Sequence, residues 1–238
     1  MNFEHYISLG YFCTPALELE RFGLRDCSSP FDWCISEWGG VEEAIRNGFA
    51  DYLVFSDFAQ DSKCRKYYKN MRYGLTYFHD FDAFRPLSEQ FDAFSEKYKR
   101  RIDRFMKNIC DPTLFVRYIS TEKGRDELSY LENNVDDIKA LLKSFNDCNE
   151  IVFIVNKGFN PSLPLCFEVS VDDGDVVSRK PADVNADFSN FLKKCECYNK
   201  ENNFLHYVEK KKNENRLDVK LHTLMNCIRR PYKHNRVY

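Results

Sequence analysis

The sequence predicts an α/β fold, with one domain built on a mostly parallel, Rossmann-like sheet that helices flank on both faces. The first observation is a pair of strand-length apolar runs, at 114–119 and 151–155, that lack polar alternation. Such runs are typical of parallel strands covered on both sides. The second observation is that long amphipathic helices, predicted at 86–109 and 127–145, precede the two runs, as parallel crossovers require.

The opening segment provides the third observation, a strand at 6–9 that enters Gly10 and leads into a helix. Thr14 is the expected N-cap of that helix, Pro15 fits its first position, and Gly23 suits its end. A strand, a glycine turn and a capped helix form the first unit of many α/β folds.

The other elements follow the same reasoning, because periodic apolar residues mark helices and short aromatic or β-branched runs mark strands. The segment 51–84 is aromatic and irregular, with one strand predicted inside it. In chain order, the remaining predictions are a loop at 28–33, a helix at 41–47 closed by Gly48, a strand at 75–78, a strand at 167–171 with a turn at 172–175, a helix at 187–194, and a charged helix or loop at 209–216.

Composition excludes several classes of protein. The chain has 238 residues, 43% hydrophobic and 30% charged, with a net charge of −2. This balance excludes a disordered chain and gives no basic excess that would attract nucleic acid. No apolar stretch has the length of a membrane span, and the N-terminus has no secretory signal. We therefore expect a cytoplasmic protein, with residues 1–238 in a single domain whose C-terminal part, 161–238, extends a core at about 6–160.

Ten cysteines in a long chain without a signal are expected to be reduced thiols, most of them buried. Zinc ligands usually come in pairs roughly two to four residues apart, whereas one residue separates Cys195 from Cys197. A metal site made of these two cysteines and His206 is a minor alternative.

Cys13 is the cysteine best placed for chemistry, because it directly precedes the predicted helix start. Free amide groups at a helix N-terminus stabilise a thiolate, so we expect a lowered pKa for this thiol. Ligand sites of parallel sheets lie at the carboxyl ends of strands, and Gly10 permits a sharp turn there. Two interpretations stay open, a nucleophile and a small buried side chain under the first turn.

His79 lies at the end of a predicted strand and is a candidate base for Cys13. Asp80 would orient its imidazole only where the strand has ended, because neighbours on a strand point to opposite sides, and Asp32 or Asp82 could serve instead. Asp80 and Asp82 have a second interpretation, as Mg²⁺ or Mn²⁺ ligands that bridge a diphosphate. A histidine that only caps a loop is the simplest alternative.

Arginines form a further group of candidates. Arg117 interrupts an apolar strand, so it needs either an internal carboxylate or an anionic ligand. Arg100, Arg101 and Arg104 lie mostly opposite the apolar side of their predicted helix, where they are solvated or pair with acids. The basic tail at 229–236 is a solvated terminus or a contact for phosphate or a membrane surface.

Several sequence blocks resemble one family of uncharacterised microbial and viral proteins. The blocks are SLGYFC at 8–13, ELERFGLR at 18–25 and SPFDW at 29–33, followed by looser similarity at 79–81, 100–105 and 114–117. The family is domain of unknown function 1796, described as papain-like cysteine peptidases. The resemblance runs from about residue 6 to 160.

The resemblance implies a thiol-dependent hydrolase or acyl transferase that needs no cofactor. Cys13 would be its nucleophile and His79 its base, with Asp80 beside it, in the cysteine-before-histidine order of papain-like enzymes. The family's association with surface-polysaccharide genes favours an alternative, a glycosyltransferase-like enzyme that uses a nucleotide-sugar donor with Mg²⁺ or Mn²⁺. In that alternative the turn from Gly10 to Thr14 would hold a phosphate.

A third hypothesis is a binding module without catalysis, in which Phe31, Trp33 and Trp38 form a ligand platform. All three hypotheses imply a small molecule, a peptide or a glycan as the ligand. The candidate binding residues are Gly10, Thr14, Asp32, Trp33, Arg101 and Arg117.

Overall fold

A computed structural model describes residues 3–62, 64–119, 124–169, 180–196, 208–209 and 212–213 of the chain. The elements in these residues are β1 (His5–Ser8), α1 (Thr14–Arg21), β2 (Cys34–Ile35), α2 (Trp38–Arg46), β3 (Phe58–Gln60), β4 (Tyr68–Asn70), β5 (Leu75–Tyr77), α3 (Leu87–Asn108), β6 (Thr113–Ile119), α4 (Gly124–Lys143), β7 (Glu150–Asn156), β8 (Cys166–Val169), α5 (Pro181–Val184) and α6 (Ala186–Lys194).

The main sheet is parallel, with the strand order β1-β6-β7-β8. Strand β6 pairs with β1 on one side and with β7 on the other, so both of its edges are hydrogen-bonded. Every residue of β6 is buried, Arg117 included, as the apolar run on either side of that arginine predicts. The predicted α/β class, with a mostly parallel sheet flanked by helices, is confirmed.

Alternate residues of β6 face two separate apolar clusters. Leu114, Val116 and Tyr118 belong to the cluster under α1 and α6. Phe115 and Ile119 belong to the larger cluster, which α2, α3 and α4 help to form. Helices therefore cover both faces, because successive side chains of a strand point to opposite sides.

A second sheet is antiparallel, with the order β2-β5-β4-β3, and the sequence predicts only one of its strands. Its strands are two or three residues long, too short to produce a recognisable alternation. Aromatic packing against α3 determines the arrangement instead, since the ring of Tyr77 lies 4.9 Å from Phe94 and 5.2 Å from Tyr98. The expectation of an irregular 51–84 segment holds between the strands, but it misses β3 and β4 for this reason.

The turn after β1 depends on Gly10, whose φ of 74° is the left-handed conformation that favours glycine. A Cβ atom at this position would lie 2.5 Å from Ser36 Oγ and 2.9 Å from the carbonyl oxygen of Phe31. The helix then begins one residue earlier than predicted, with Cys13 at the N-cap and Thr14 as the first helical residue. Cys13 caps with its backbone alone, because its carbonyl accepts the amide hydrogen of Leu17 at 3.0 Å.

None of the helices within the described ranges is long and apolar enough to cross a membrane. Several predictions fall outside those ranges: the turn at 172–175, the basic tail at 229–236, and Cys197 and His206 of the alternative metal site. The extent of the domain over residues 1–238 therefore stays a prediction.

Replacing Gly10 by alanine tests the turn. Gly10→Ala should cost about 1–3 kcal/mol more stability than Gly48→Ala, because only the former adds a steric clash. Gly48 is the matched control, since it has a φ of 63° but a Cβ atom added there would meet no other atom within 4 Å. Urea unfolding of both variants measures the difference, and equal losses would contradict the close packing at Gly10.

Candidate active site

Cys13 lies at the carboxyl edge of the parallel sheet, where the chain turns from β1 into α1. The residue is 6% exposed and belongs to the apolar cluster that contains Phe12, Leu19 and Val116. Burial is the largest influence and raises the pKa of its thiol; a backbone hydrogen bond opposes this effect, and the charge of Asp32 adds to it. The expected lowering of this pKa is therefore wrong, because desolvation outweighs the helix N-terminus.

Asp32 is held inside the loop between α1 and β2 and is 1% exposed. One carboxylate oxygen accepts hydrogen bonds from Arg25 at 2.6 Å and from the Ser29 amide at 2.9 Å. Burial raises the pKa of Asp32, while the guanidinium of Arg25 lowers it. The same guanidinium lies over the ring of Trp33, 5.6 Å from its centroid, so Arg25 fixes both residues of the loop.

His79 follows β5 and has an exposed side chain. Its imidazole meets the Trp33 ring edge-on, with the centroids 6.1 Å apart, and the Phe78 ring at 4.1 Å. Burial by these neighbours lowers the pKa of His79, an effect that Asp80 opposes and Lys66 reinforces. A histidine with a lowered pKa is neutral near pH 7, which is the form that accepts a proton.

The side chain of Trp33 lies against the surroundings of both predicted catalytic residues, Cys13 and His79. Its indole contacts His79 and also packs against the apolar cluster that contains Cys13. Within the described residues, no hydrogen bond or ion pair joins the Cys13 thiol to the His79 ring. The structure thus places both residues around one loop without direct contact between them.

Asp80 and Asp82 both have partners inside the chain. Asp80 accepts hydrogen bonds from Lys97 and, at 3.0 Å, from Tyr98, so its carboxylate is directed to α3 instead of His79. Asp82 accepts a hydrogen bond from the Phe84 amide at 2.7 Å, and this bond closes the exposed loop. These contacts give the metal interpretation of the two carboxylates no support, and it stays a prediction.

Arg117 has an internal partner, which is one of the two options that the sequence left open. The side chain is fully buried and makes a bidentate pair with Glu127, with oxygens at 2.7 and 2.9 Å from one nitrogen. It also donates to the carbonyl oxygen of Leu9 at 2.8 Å and to Ser36 Oγ at 3.0 Å. These contacts occupy the guanidinium, so it holds the fold together and is not positioned to bind a diphosphate.

Arg101 differs from Arg117, because part of its guanidinium has no partner. Its charged group lies 4.8 Å from the centroid of the Tyr98 ring, and its buried Nη1 has no hydrogen-bond partner among the described residues. Oδ1 of Asp32 is likewise buried and unpaired there. Buried polar atoms normally have partners, so these two atoms are candidates for contact with a ligand. Thr14, also predicted to bind, is buried in the first turn of α1.

Three residues that contribute to the site, Arg25, Ser36 and Glu127, were not singled out from the sequence. Arg25 gave no distinct signal, because its pair with Asp32, seven residues on, follows no helix or strand period. Ser36 gave none, because it depends on a contact with the distant Arg117. Glu127 had a signal, because a buried arginine requires a carboxylate and Glu127 begins the next predicted helix. A cavity of about 290 Å³ opens beside it, where α2 and α4 begin, and is lined by Glu37, Trp38, Gly39, Asp126, Glu127 and Tyr130.

The fold and site together define an α/β protein with a cysteine at a helix start and a histidine delivered by a second, antiparallel sheet. The family model of domain of unknown function 1796, described as "putative papain-like cysteine peptidase", matches residues 4–158. The chain belongs to this family. The match contains every candidate site residue discussed above.

An uncharacterised protein of Acanthamoeba polyphaga mimivirus is 29% identical over 184 residues, which cover 66% of this chain and 78% of the viral protein. No solved structure matches the chain. The family description is consistent with a hydrolase, whereas neither comparison supports a glycosyltransferase or a role in polysaccharide synthesis.

The Arg117 pair is testable by unfolding experiments. Arg117→Met should cost about 3–5 kcal/mol, because it removes the cation that neutralises the largely buried Glu127 carboxylate and the donors to the carbonyl oxygens of Leu9 and Ser36. Adding Glu127→Gln should recover part of this loss by removing the unpaired charge. Arg104→Met, on an exposed face of α3, is the control and should change stability by less than about 0.5 kcal/mol. Additive effects of the two site variants would contradict a coupled pair.

Proposed function

We propose that the protein is a cysteine-dependent hydrolase or acyl transferase in which Cys13 is the nucleophile and His79 the base. The observation that carries the proposal is the loop containing Asp32 and Trp33. Asp32 acts on the Cys13 thiol electrostatically, and Trp33 contacts the His79 ring. Two observations therefore support the proposal: one short loop contacts His79 and packs against the cluster that contains Cys13, and the family description fits thiol chemistry.

The resting state in this proposal is a neutral thiol beside a neutral imidazole, because burial raises the pKa of Cys13 and lowers that of His79. Such a pair works by general-base catalysis, in which deprotonation accompanies attack. Catalytic contacts are often longer in a free enzyme than with substrate bound, so the exposed His79 needs to approach Cys13 during turnover.

The reaction forms a bond between Cys13 Sγ and a substrate carbonyl carbon, while the thiol proton moves to His79. His79 then donates this proton to the leaving group as its bond to the carbonyl carbon breaks, which leaves an acyl-enzyme thioester. Water or another acceptor attacks the thioester, the S–C bond breaks, and the acceptor's proton returns to the thiolate through His79. The same residues therefore serve hydrolysis and acyl transfer.

Two features assist this sequence. The first turn of α1 offers the backbone amide of Ala16 to a developing oxyanion, since Pro15 has no amide hydrogen and the Leu17 amide is bonded to Cys13. Asp32 Oδ1 and Arg101 Nη1 supply an acceptor and a donor without partners among the described residues. A peptide-like group, with both a donor and an acceptor, satisfies this combination.

The pH dependence of Cys13 alkylation tests the resting state. Because its pKa is raised, the thiolate fraction at pH 7 is smaller than for an ordinary cysteine and grows as pH approaches the raised value. Peptide mass spectrometry after iodoacetamide treatment should show slow labelling at pH 7 and faster labelling above pH 9. The exposed Cys110 and Cys148 are internal controls and should label first at pH 7. Rapid labelling of Cys13 below pH 7 would contradict a neutral thiol.

Acylation by a simple activated ester tests the catalytic assignment. Wild-type protein treated with p-nitrophenyl acetate should release p-nitrophenolate and carry a transient acetyl group on the Cys13 peptide. Cys13→Ala should abolish both signals, and His79→Gln should slow release by about 100-fold or more, since that is a typical contribution of a general base. Cys34→Ala, which removes another buried thiol, should retain both signals. Equal acetylation of wild type and Cys13→Ala would sink the proposal.

A further inference from the structure

A second group of functional side chains, of the types that bind metals, lies at the edge of the parallel sheet opposite Cys13. Glu4 precedes β1, His5 is its first residue, and Asp111 precedes β6. One ligand atom from each of these residues lies within 4.8 Å of the other two. Bonds of about 2.0–2.2 Å hold two ligand atoms of one ion at most about 4.4 Å apart, so small side-chain rotations bring these three atoms within reach of one ion.

The backbone holds these residues in place before any ion binds. The amides of Glu4 and His5 both donate to the Pro112 carbonyl, at 2.8 and 3.2 Å, and the Asp111 amide donates to Asn108 at the end of α3 at 3.1 Å. The three ligand residues therefore belong to two segments that parallel strand pairing already aligns. Little backbone entropy therefore remains to be lost when the side chains converge on an ion.

The orientation of His5 is the observation that points to a metal. Its Nδ1 is hydrogen-bonded to Asp26 at 3.0 Å, and its Nε2 is directed to Asp111 at 3.5 Å. Histidines that bind metals usually donate one ring nitrogen to a carboxylate while the other binds the ion. Asp26 occupies that outer position, on a segment that contributes no ligand of its own to the group.

We propose that His5 Nε2 and the carboxylates of Glu4 and Asp111 bind one divalent first-row transition ion, in the range from Mn²⁺ to Zn²⁺. An imidazole ligand favours these ions over Mg²⁺ and Ca²⁺, which prefer all-oxygen sites. Three protein ligands leave room for water in the remaining positions. The ion connects the start of β1 with the start of β6 and, through Asp26, with the loop that follows α1. This site is independent of the proposed chemistry at Cys13.

Mn²⁺ is the probe for this site, because the cysteines of the chain would compete for Zn²⁺ but bind Mn²⁺ poorly. Electron paramagnetic resonance of free Mn²⁺, measured with the untagged full-length protein, should show one saturable site. His5→Gln and Asp111→Asn should each abolish saturable binding. Asp26→Asn should weaken it about 10–100-fold, as expected for a residue that orients a ligand. Asp92→Asn, an exposed carboxylate on α3, is the control and should bind as wild type does.

Nuclear magnetic resonance provides a second readout that needs no variant to fold. Substoichiometric Mn²⁺ should broaden the His5 ring signals selectively and leave those of His79 sharp. Absence of saturable binding, unchanged affinity in His5→Gln, or equal broadening of both histidines would each overturn the proposal. In that case His5 is only an ion-pair partner of Asp26 and Asp111.

Discussion

The buried guanidinium of Arg117 is the contact on which the rest of the site depends. From the middle of β6 it reaches the end of β1 at Leu9, the residue after β2 at Ser36 and the first turn of α4 at Glu127. It also lies 5.7 Å from the ring centroid of Trp38, at the start of α2. Three strands, drawn from both sheets, and two helices therefore meet at one charged group. Because an unpaired buried charge is so unfavourable, the two sheets are constrained to keep this arrangement.

The same arrangement determines where the candidate catalytic residues lie. Ser36 packs against Gly10, so the position of β2 controls the turn that presents Cys13. In chain order, the antiparallel sheet begins with β2 and ends with β5, whose last residue lies two positions before His79. Cys13 comes from the parallel sheet and His79 from the antiparallel one, and the loop from Ser29 to Trp33 joins the two. A disturbance of either sheet would therefore alter the distance between thiol and imidazole.

The long, mostly apolar strands β6 and β7 were predictable, because a strand buried on both faces leaves a local signature in the sequence. The need of Arg117 for a partner was predictable for a similar reason, since burial and charge can be inferred from one segment, whereas the choice between an internal carboxylate and an anionic ligand came from the structure. The antiparallel sheet was not, because two- and three-residue strands acquire their pairing from aromatic contacts with α3. The raised pKa of Cys13 was not predictable either. The local sequence predicts the helix N-terminus, but it does not show the buried cluster, with distant side chains such as Val116, to which the thiol belongs.

This desolvation has a consequence for the proposed chemistry. A preformed thiolate would be reactive toward any electrophile, whereas a buried neutral thiol reacts only when a base reaches it. Under the proposed function, that base is the exposed His79, whose present contacts are with Phe78 and Trp33. A substrate that binds to the unpaired atoms of Asp32 and Arg101 would occupy the loop that carries Trp33. Substrate binding and activation of Cys13 are then coupled through the same few residues, which would make reactivity depend on recognition.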